Sequence, residues 1–170
     1  MMGAWGVTMR ESDYGLDLLE LIRDSLLVGI DYKYLNVAEA IELLRKHILD
    51  EIKKANRGCT PEELDFYIKK NFQRDFEEAA LLIAECLADY YEHGELVIYD
   101  FSSGNTGRPE RYIRDVIVTD EDLKLLLTEM RKALSPESEL YNSWEESEHL
   151  DEWHAYVKTL CQTLEQQSGS

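Results

Sequence analysis

The residues of this chain that could do chemistry are mostly carboxylates, and their most informative run spans Glu137 to Glu152. It holds Glu137, Glu139, Glu145, Glu146, Glu148, Asp151 and Glu152 with no Lys or Arg, with Tyr141 and Trp144 interleaved and Trp153 directly after it. Aromatics amid carboxylates suit protein recognition, because tyrosine and tryptophan anchor hot spots while carboxylates speed encounter with a basic surface. Glu137, Glu139, Tyr141, Trp144, Glu145, Glu146, Glu148, Asp151 and Glu152 are therefore the candidate protein-binding residues. The plainer alternative packs both tryptophans on the core and leaves the carboxylates to water. For Trp153, on the apolar face of a predicted helix, that alternative is the better one.

A second cluster is basic. Arg108, Arg111 and Arg114 are the only gathered cations in the acidic half, beside the glycine-rich Ser102-Ser103-Gly104-Asn105-Thr106-Gly107. The loop lacks the Gly-Lys-Ser/Thr ending of a phosphate-binding loop, and it lies between two predicted strands instead of opening a helix. A hairpin turn is the favoured reading, with the arginines paired to nearby carboxylates; a ligand touching all three is the alternative. His149 and His154 are five apart, so they do not share a helix face as an i, i+4 pair of metal ligands would. His47 and His93 fall near predicted helix C-termini, where the dipole favours a cation. No metal and no cofactor is implied, and no Ser/His/Asp or Cys/His order emerges, so the balance leans against an enzyme and leaves the question open.

Charge separates the function classes. The net charge is −17, and residues 75–170 hold 22 acidic against 7 basic side chains, whereas residues 1–74 hold 13 against 11. Such a field repels nucleic-acid phosphate and anionic lipid and attracts cationic partners. No apolar run approaches the roughly 20 residues needed to cross a bilayer. Met1 to Arg10 lacks the basic region and apolar run of a secretion signal. The three cysteines, Cys59, Cys86 and Cys161, have no metal-like spacing. Reduced thiols suit an intracellular compartment, so a cytoplasmic location is expected.

Positioning these residues requires a core, and Phe76 to His93 is the stretch that builds it. Phe76, Ala79, Ala80, Ile83, Leu87, Tyr90 and Tyr91 make one wide apolar stripe at helical spacing. Leu81, Leu82, Ala84, Cys86 and Ala88 carry it over most of the circumference, leaving Glu78, Glu85, Asp89 and Glu92 as a narrow polar ridge. A helix so apolar lowers its free energy only by being surrounded. The 170 residues suit one domain, 1–170, burying roughly 70% of its unfolded surface. Ser12 or Asp13 caps a first helix to about Val28, and a second runs from about Val37 to Ala55. Thr60-Pro61-Glu62-Glu63 opens a third, with an N-cap, proline at the first helical position and a capping box, and a break is expected near Asn71 to Asp75. Ile30 to Leu35 is loop or short strand. Glu95–Phe101 and Tyr112–Val118 form one small antiparallel β-hairpin, about 95–118. Thr119 caps a helix striped by Leu123, Leu126, Leu127, Met130 and Leu134, and Leu150 to Leu164 is the last. The expected class is mainly α (α+β): a single compact helical domain around a buried central helix, about 76–93, with that hairpin.

The opening Met2-Gly3-Ala4-Trp5-Gly6, with Asp13 and Leu16-Asp17 after it, resembles a bacterial family of small domains of unknown function. Ser138-Glu139-Leu140, Trp144-Glu145-Glu146-Ser147, Glu152-Trp153 and Val157 are similar to that family's closing Ser-Glu-Leu…Trp-Glu-Glu…Glu-Trp pattern. The matches cover about a third of the chain, and Ser12 and Gly15 depart from the family's Asn and helix-favouring residue. The resemblance implies a compact intracellular bacterial domain and carries no catalytic residue. The function expected is an acidic intracellular module that binds a basic protein, concretely a bacterial immunity or antitoxin-type protein neutralising a nuclease-like toxin. The alternative is a small enzyme or ligand-binding protein with its site near the turn, 102–114.

Overall fold

The structure is a computed structural model that describes residues 8–27, 34–98 and 111–168. A single 3-10 turn, Met9–Glu11, leads into α1 (Asp13–Leu26), then β1 (Tyr34–Asn36), α2 (Val37–Ala55) and α3 (Pro61–His93). There follow β2 (Leu96–Ile98), β3 (Arg111–Ile113), β4 (Asp115–Ile117), α4 (Asp120–Ala133), α5 (Glu139–Glu145) and α6 (Leu150–Ser168). Among the described residues no helix is long and apolar enough to cross a membrane.

Every other α-helix touches α3. From Phe76 to Leu87 almost all of its residues are buried, with Ala79, Leu82 and Ala84 fully enclosed, as a helix apolar on nearly every side requires. The break expected near Asn71 to Asp75 is absent. α3 is one helix of 33 residues, about 50 Å long. Continuity there has local support: Phe72 stacks on Phe76 with centroids 5.4 Å apart, and the Arg45 guanidinium of α2 lies 5.1 Å from the Phe76 ring centre. Both contacts hold the turn that spans the polar stretch.

The ends of the helices follow from their caps. Thr60 accepts from the Glu63 amide while Glu63 reaches back to Thr60, and Thr119 with Asp122 does the same for α4. Gly94 stops α3 in the left-handed conformation, φ 71°, which glycine adopts without a Cβ clash. Ser12, not Asp13, caps α1, accepting from the Gly15 amide at 3.0 Å. Gly15 itself answers a close approach, since a Cβ there would lie 1.8 Å from the Met9 carbonyl oxygen.

The strand region differs from a lone hairpin. β2 pairs antiparallel with β3, Leu96 opposite Ile113 and Ile98 opposite Arg111, and the connection 99–110 lies outside the described residues. The second arm does not run on to Val118 in that ladder. It is divided at Arg114, and β4 pairs parallel with β1, Leu35 opposite Val116. Leu96, Ile98, Ile113 and Leu35 are buried, so both ladders close one side of the helical core.

Candidate functional site

The acidic segment is built on two short stretches of helix whose apolar sides point inward. Ser138 caps α5, its hydroxyl accepting from the Tyr141 amide at 3.3 Å, and Leu140 and Trp144 then fall on the core side. Trp144 is only 4% exposed and stacks on Trp153, with centroids 5.6 Å apart and planes at 13°. Trp144 is therefore not a surface anchor: two indoles face to face exclude water from one another, and the registers of α5 and α6 turn their respective rings inward. Tyr141 is half-buried, edge-on to Trp153 at 6.4 Å and to His154 at 6.2 Å.

The carboxylates behave otherwise. Glu137, Glu139, Glu145, Glu146, Glu148, Asp151 and Glu152 are all exposed. Glu152 lies 3.4 Å from His149 Nδ1; among the described residues none of the other six joins an ion pair. Their charge projects into solvent uncompensated, around a rigid aromatic base.

Of the three arginines near the turn, only the Arg114 side chain is among the described residues. Arg108 and the side chain of Arg111 lie outside the described residues, as does the turn of the alternative ligand site. Arg114 is exposed, its Nε 3.7 Å from Glu95, and its carbonyl accepts from the Tyr90 hydroxyl at 3.3 Å. A cavity of about 390 Å³ beside the β2–β3 ladder is lined by Arg10, Asp89, His93, Glu95 and Val97. Its cation thus comes from the opposite end of the chain. His93 Nδ1 sits 3.2 Å from the Asp89 carbonyl at the end of α3, where a helix end favours positive charge. Asp89, Glu92 and His93 bring ligand-type atoms within 4.8 Å of one another, but Asp89 is already engaged by Arg10.

Two polar networks have no counterpart in the sequence reading. In the first, the Glu85 carboxylate is fully buried and receives the Met9 amide, the Arg10 amide at 3.1 Å, Arg10 Nε at 3.4 Å and the Tyr156 hydroxyl. Burial raises its pKa, and these donors pull it back. Arg10 also bonds Asp89. Burial lowers the Arg10 pKa, and the Asp89 bond and surrounding negative charge outweigh it, holding the guanidinium charged. Burial, then the Glu85 charge, pushes the Tyr156 hydroxyl upward. The group forms the wall of a groove of about 530 Å³, yet each Glu85 oxygen is occupied by a donor of the chain itself. That occupancy makes Glu85 an anchor for residues 9 and 10 and leaves it no free lone pair for acid–base work. Helical spacing set Glu85 in the narrow polar ridge; the donors that meet it there come from a segment 75 residues earlier.

In the second network, the Gln73 amide donates to Glu77 at 2.9 Å and to Glu129 at 2.7 Å. Ser138 Oγ donates to Glu77 at 2.6 Å, and Lys132 to Glu129 at 3.1 Å. α3, α4 and the start of α5 are tied together through it. Cys86 and Cys161 are buried free thiols, burial pushing Cys86 up to about 12, so both act as small hydrophobes. With this geometry in hand, no family model, curated protein or solved structure matches the chain.

Proposed function

We propose that the chain is a protein-binding module whose exposed carboxylates at 137–152 dock a basic protein. One observation carries the reading: six of the seven acidic side chains in that stretch have no ion-pair partner among the described residues, although cations are present elsewhere in the fold. A purely solvated acidic surface gains little from a rigid aromatic base. An interface gains much, because a preformed patch loses little conformational entropy on binding. Tyr141, half-buried at the patch, is the aromatic still available for contact. Trp144 and Trp153 act beneath it by holding the backbone of α5 and α6 in register.

The concrete form of the reading is an immunity or antitoxin-type protein of a bacterial cytoplasm, neutralising a basic nuclease-like toxin; the resemblance at the two ends of the chain is compatible with it. Long-range attraction between such partners raises the association rate and weakens as salt is added. The test is capture of partners from the native host at low and at high salt. A basic protein retained at low salt, and released by changing Glu145, Glu146 and Glu148 together to lysine, supports the reading. Recovery of no basic protein at either salt concentration overturns it.

A further inference from the structure

The positive charge of this chain is gathered as sharply as the negative. Residues 45–74, covering the second half of α2, the turn after it and the first half of α3, hold eight of the 18 Lys and Arg against five acidic residues. All other residues together hold ten against 30. Where this basic helical hairpin joins the body, α3 and the α4–α5 connection enclose a cleft of about 360 Å³. Lys69, Lys70 and Arg74 line it from α3, and Lys132 from α4, with the Ser135 hydroxyl beside them.

The commitments of these groups differ. Lys69 lies 2.9 Å from Asp65, but both are well exposed, and such a surface pair contributes little. Lys132 bonds Glu129. Arg74 is paired with Glu78, its buried Nε 3.6 Å from that carboxylate. Lys70 is exposed and has no ion-pair partner among the described residues. Ser135 Oγ accepts the Glu137 amide at 3.2 Å, which leaves its proton free to donate. Of the lining carboxylates, Glu77 already accepts from Ser138 and Gln73. Glu137 and Glu139 stand exposed at the rim.

We propose that this cleft binds a small phosphate monoester carrying hydroxyl groups. The dianionic phosphate sits between Lys70 and Arg74, with Lys69, Lys132 and the Ser135 hydroxyl around it, and the ligand's hydroxyls donate to Glu137 and Glu139. A guanidinium fork, held on one side by Glu78, and a free ammonium are donors that suit a phosphate. The volume falls at the low end of the roughly 300–1,000 Å³ of small-molecule sites, which suits a phosphorylated polyol better than a dinucleotide. A phosphodiester polymer is disfavoured, because its further charges would run against the acidic remainder of the surface. The site shares Glu137 and Glu139 with the acidic patch, but its test is read on the chain alone, so its failure and the failure of partner capture are distinguishable.

The experiment is titration of the full chain with glycerol 3-phosphate, inorganic phosphate and glycerol, followed by amide chemical shifts at physiological salt. Saturable shifts confined to the amides around Lys69, Lys70, Arg74 and Ser135 are expected with glycerol 3-phosphate and not with glycerol. Lys70→Ala with Arg74→Ala should weaken binding at least about tenfold, whereas Lys53→Ala with Lys54→Ala, an equal loss of charge at the far end of the hairpin, should change it less than about twofold. Circular dichroism of both variants checks that the helices persist. Absence of saturable shifts up to about 10 mM ligand, a free energy of association too weak for a built site, overturns the proposal. So does equal weakening in the two double variants, which would reduce the effect to diffuse attraction. Equal affinity for inorganic phosphate and glycerol 3-phosphate would overturn the role given to Glu137 and Glu139.

Discussion

The two halves of α3 share one continuous helix and almost nothing else. From Pro61 to Asp75 the side chains are exposed or half-buried, Phe66 reaches 60% exposure, and Lys69, Lys70 and Arg74 face water or the cleft. From Phe76 to Leu87 the helix is largely enclosed, and even Glu77 and Glu85 are buried, at 2% and 1%. The first half is held by its capping box, by α2 and, near its end, by the Gln73 bond to Glu129 of α4; the second is packed far more completely. Helical continuity therefore does not mean uniform stability. The enclosed half supplies the energy that fixes the whole rod, and the exposed half is free to carry charge.

The sharpest way to break that contrast is one truncation in each half. Leu82→Ala removes a fully enclosed side chain and should lower unfolding stability by about 2–5 kcal/mol. Phe66→Ala, on the exposed half, should stay within about 0.5 kcal/mol. Urea denaturation of both variants settles it, and similar losses would show that the first half is also packed. Glu85→Ala comes next, at about 2–4 kcal/mol, since it leaves two backbone amides and Arg10 Nε without their acceptor. Glu85→Gln should recover part of that loss. Gly15→Ala tests the same anchor from its other side: a Cβ 1.8 Å from the Met9 carbonyl forces the backbone of the 3-10 turn to move, at about 1–3 kcal/mol.

The carboxyls of α3 extend the comparison to pH. Burial raises the pKa of Asp75, Glu77 and Glu85, and it pushes Glu78 from 4.5 up to about 7 despite the nearby Arg74. A carboxyl raised in the folded state binds its proton more tightly there than in the unfolded chain. Its stabilising contribution is complete below the unfolded value and is lost as pH climbs through the folded one. Unfolding free energy should thus fall as pH rises from about 4.5 to about 7, and Glu78→Gln should flatten the slope in that window. A slope unchanged in the variant would mean that Glu78 is solvated.

The sequence made some of this readable and hid the rest for physical reasons. The buried stripe of α4, Leu123, Leu126, Leu127 and Met130, and the capping box at Thr60 were legible because each depends on neighbours three or four residues away. The β1–β4 pairing was not, because three-residue strands show no period and their partners lie some 80 residues apart. The cover over Glu85 was hidden for a related reason: spacing fixes which face a residue shares, while a distant segment decides whether that face is covered. Trp144 was assigned outward from its acidic neighbours, although its own register on α5 points inward. Charge asymmetry was visible, but counting by halves of the chain blurred it. The boundary falls at the ends of a helical hairpin, and only the fold shows that residues 45–74 form one basic body.

The smallest expected effect separates folding from binding most cleanly. Glu145, Glu146 and Glu148 are exposed and unpaired, so reversing each to lysine singly should leave unfolding stability within about 0.5 kcal/mol, or improve it slightly by relieving like-charge repulsion. The same changes should slow association with a basic partner, and the slowing should shrink as salt is raised. If instead the reversals destabilise the fold by as much as the loss of an enclosed leucine, those carboxylates support the core. The stacked indoles beneath them would then be part of one packed unit with α5's outer face, and the division between an enclosed interior and a charged, available surface would fail at this end of the molecule.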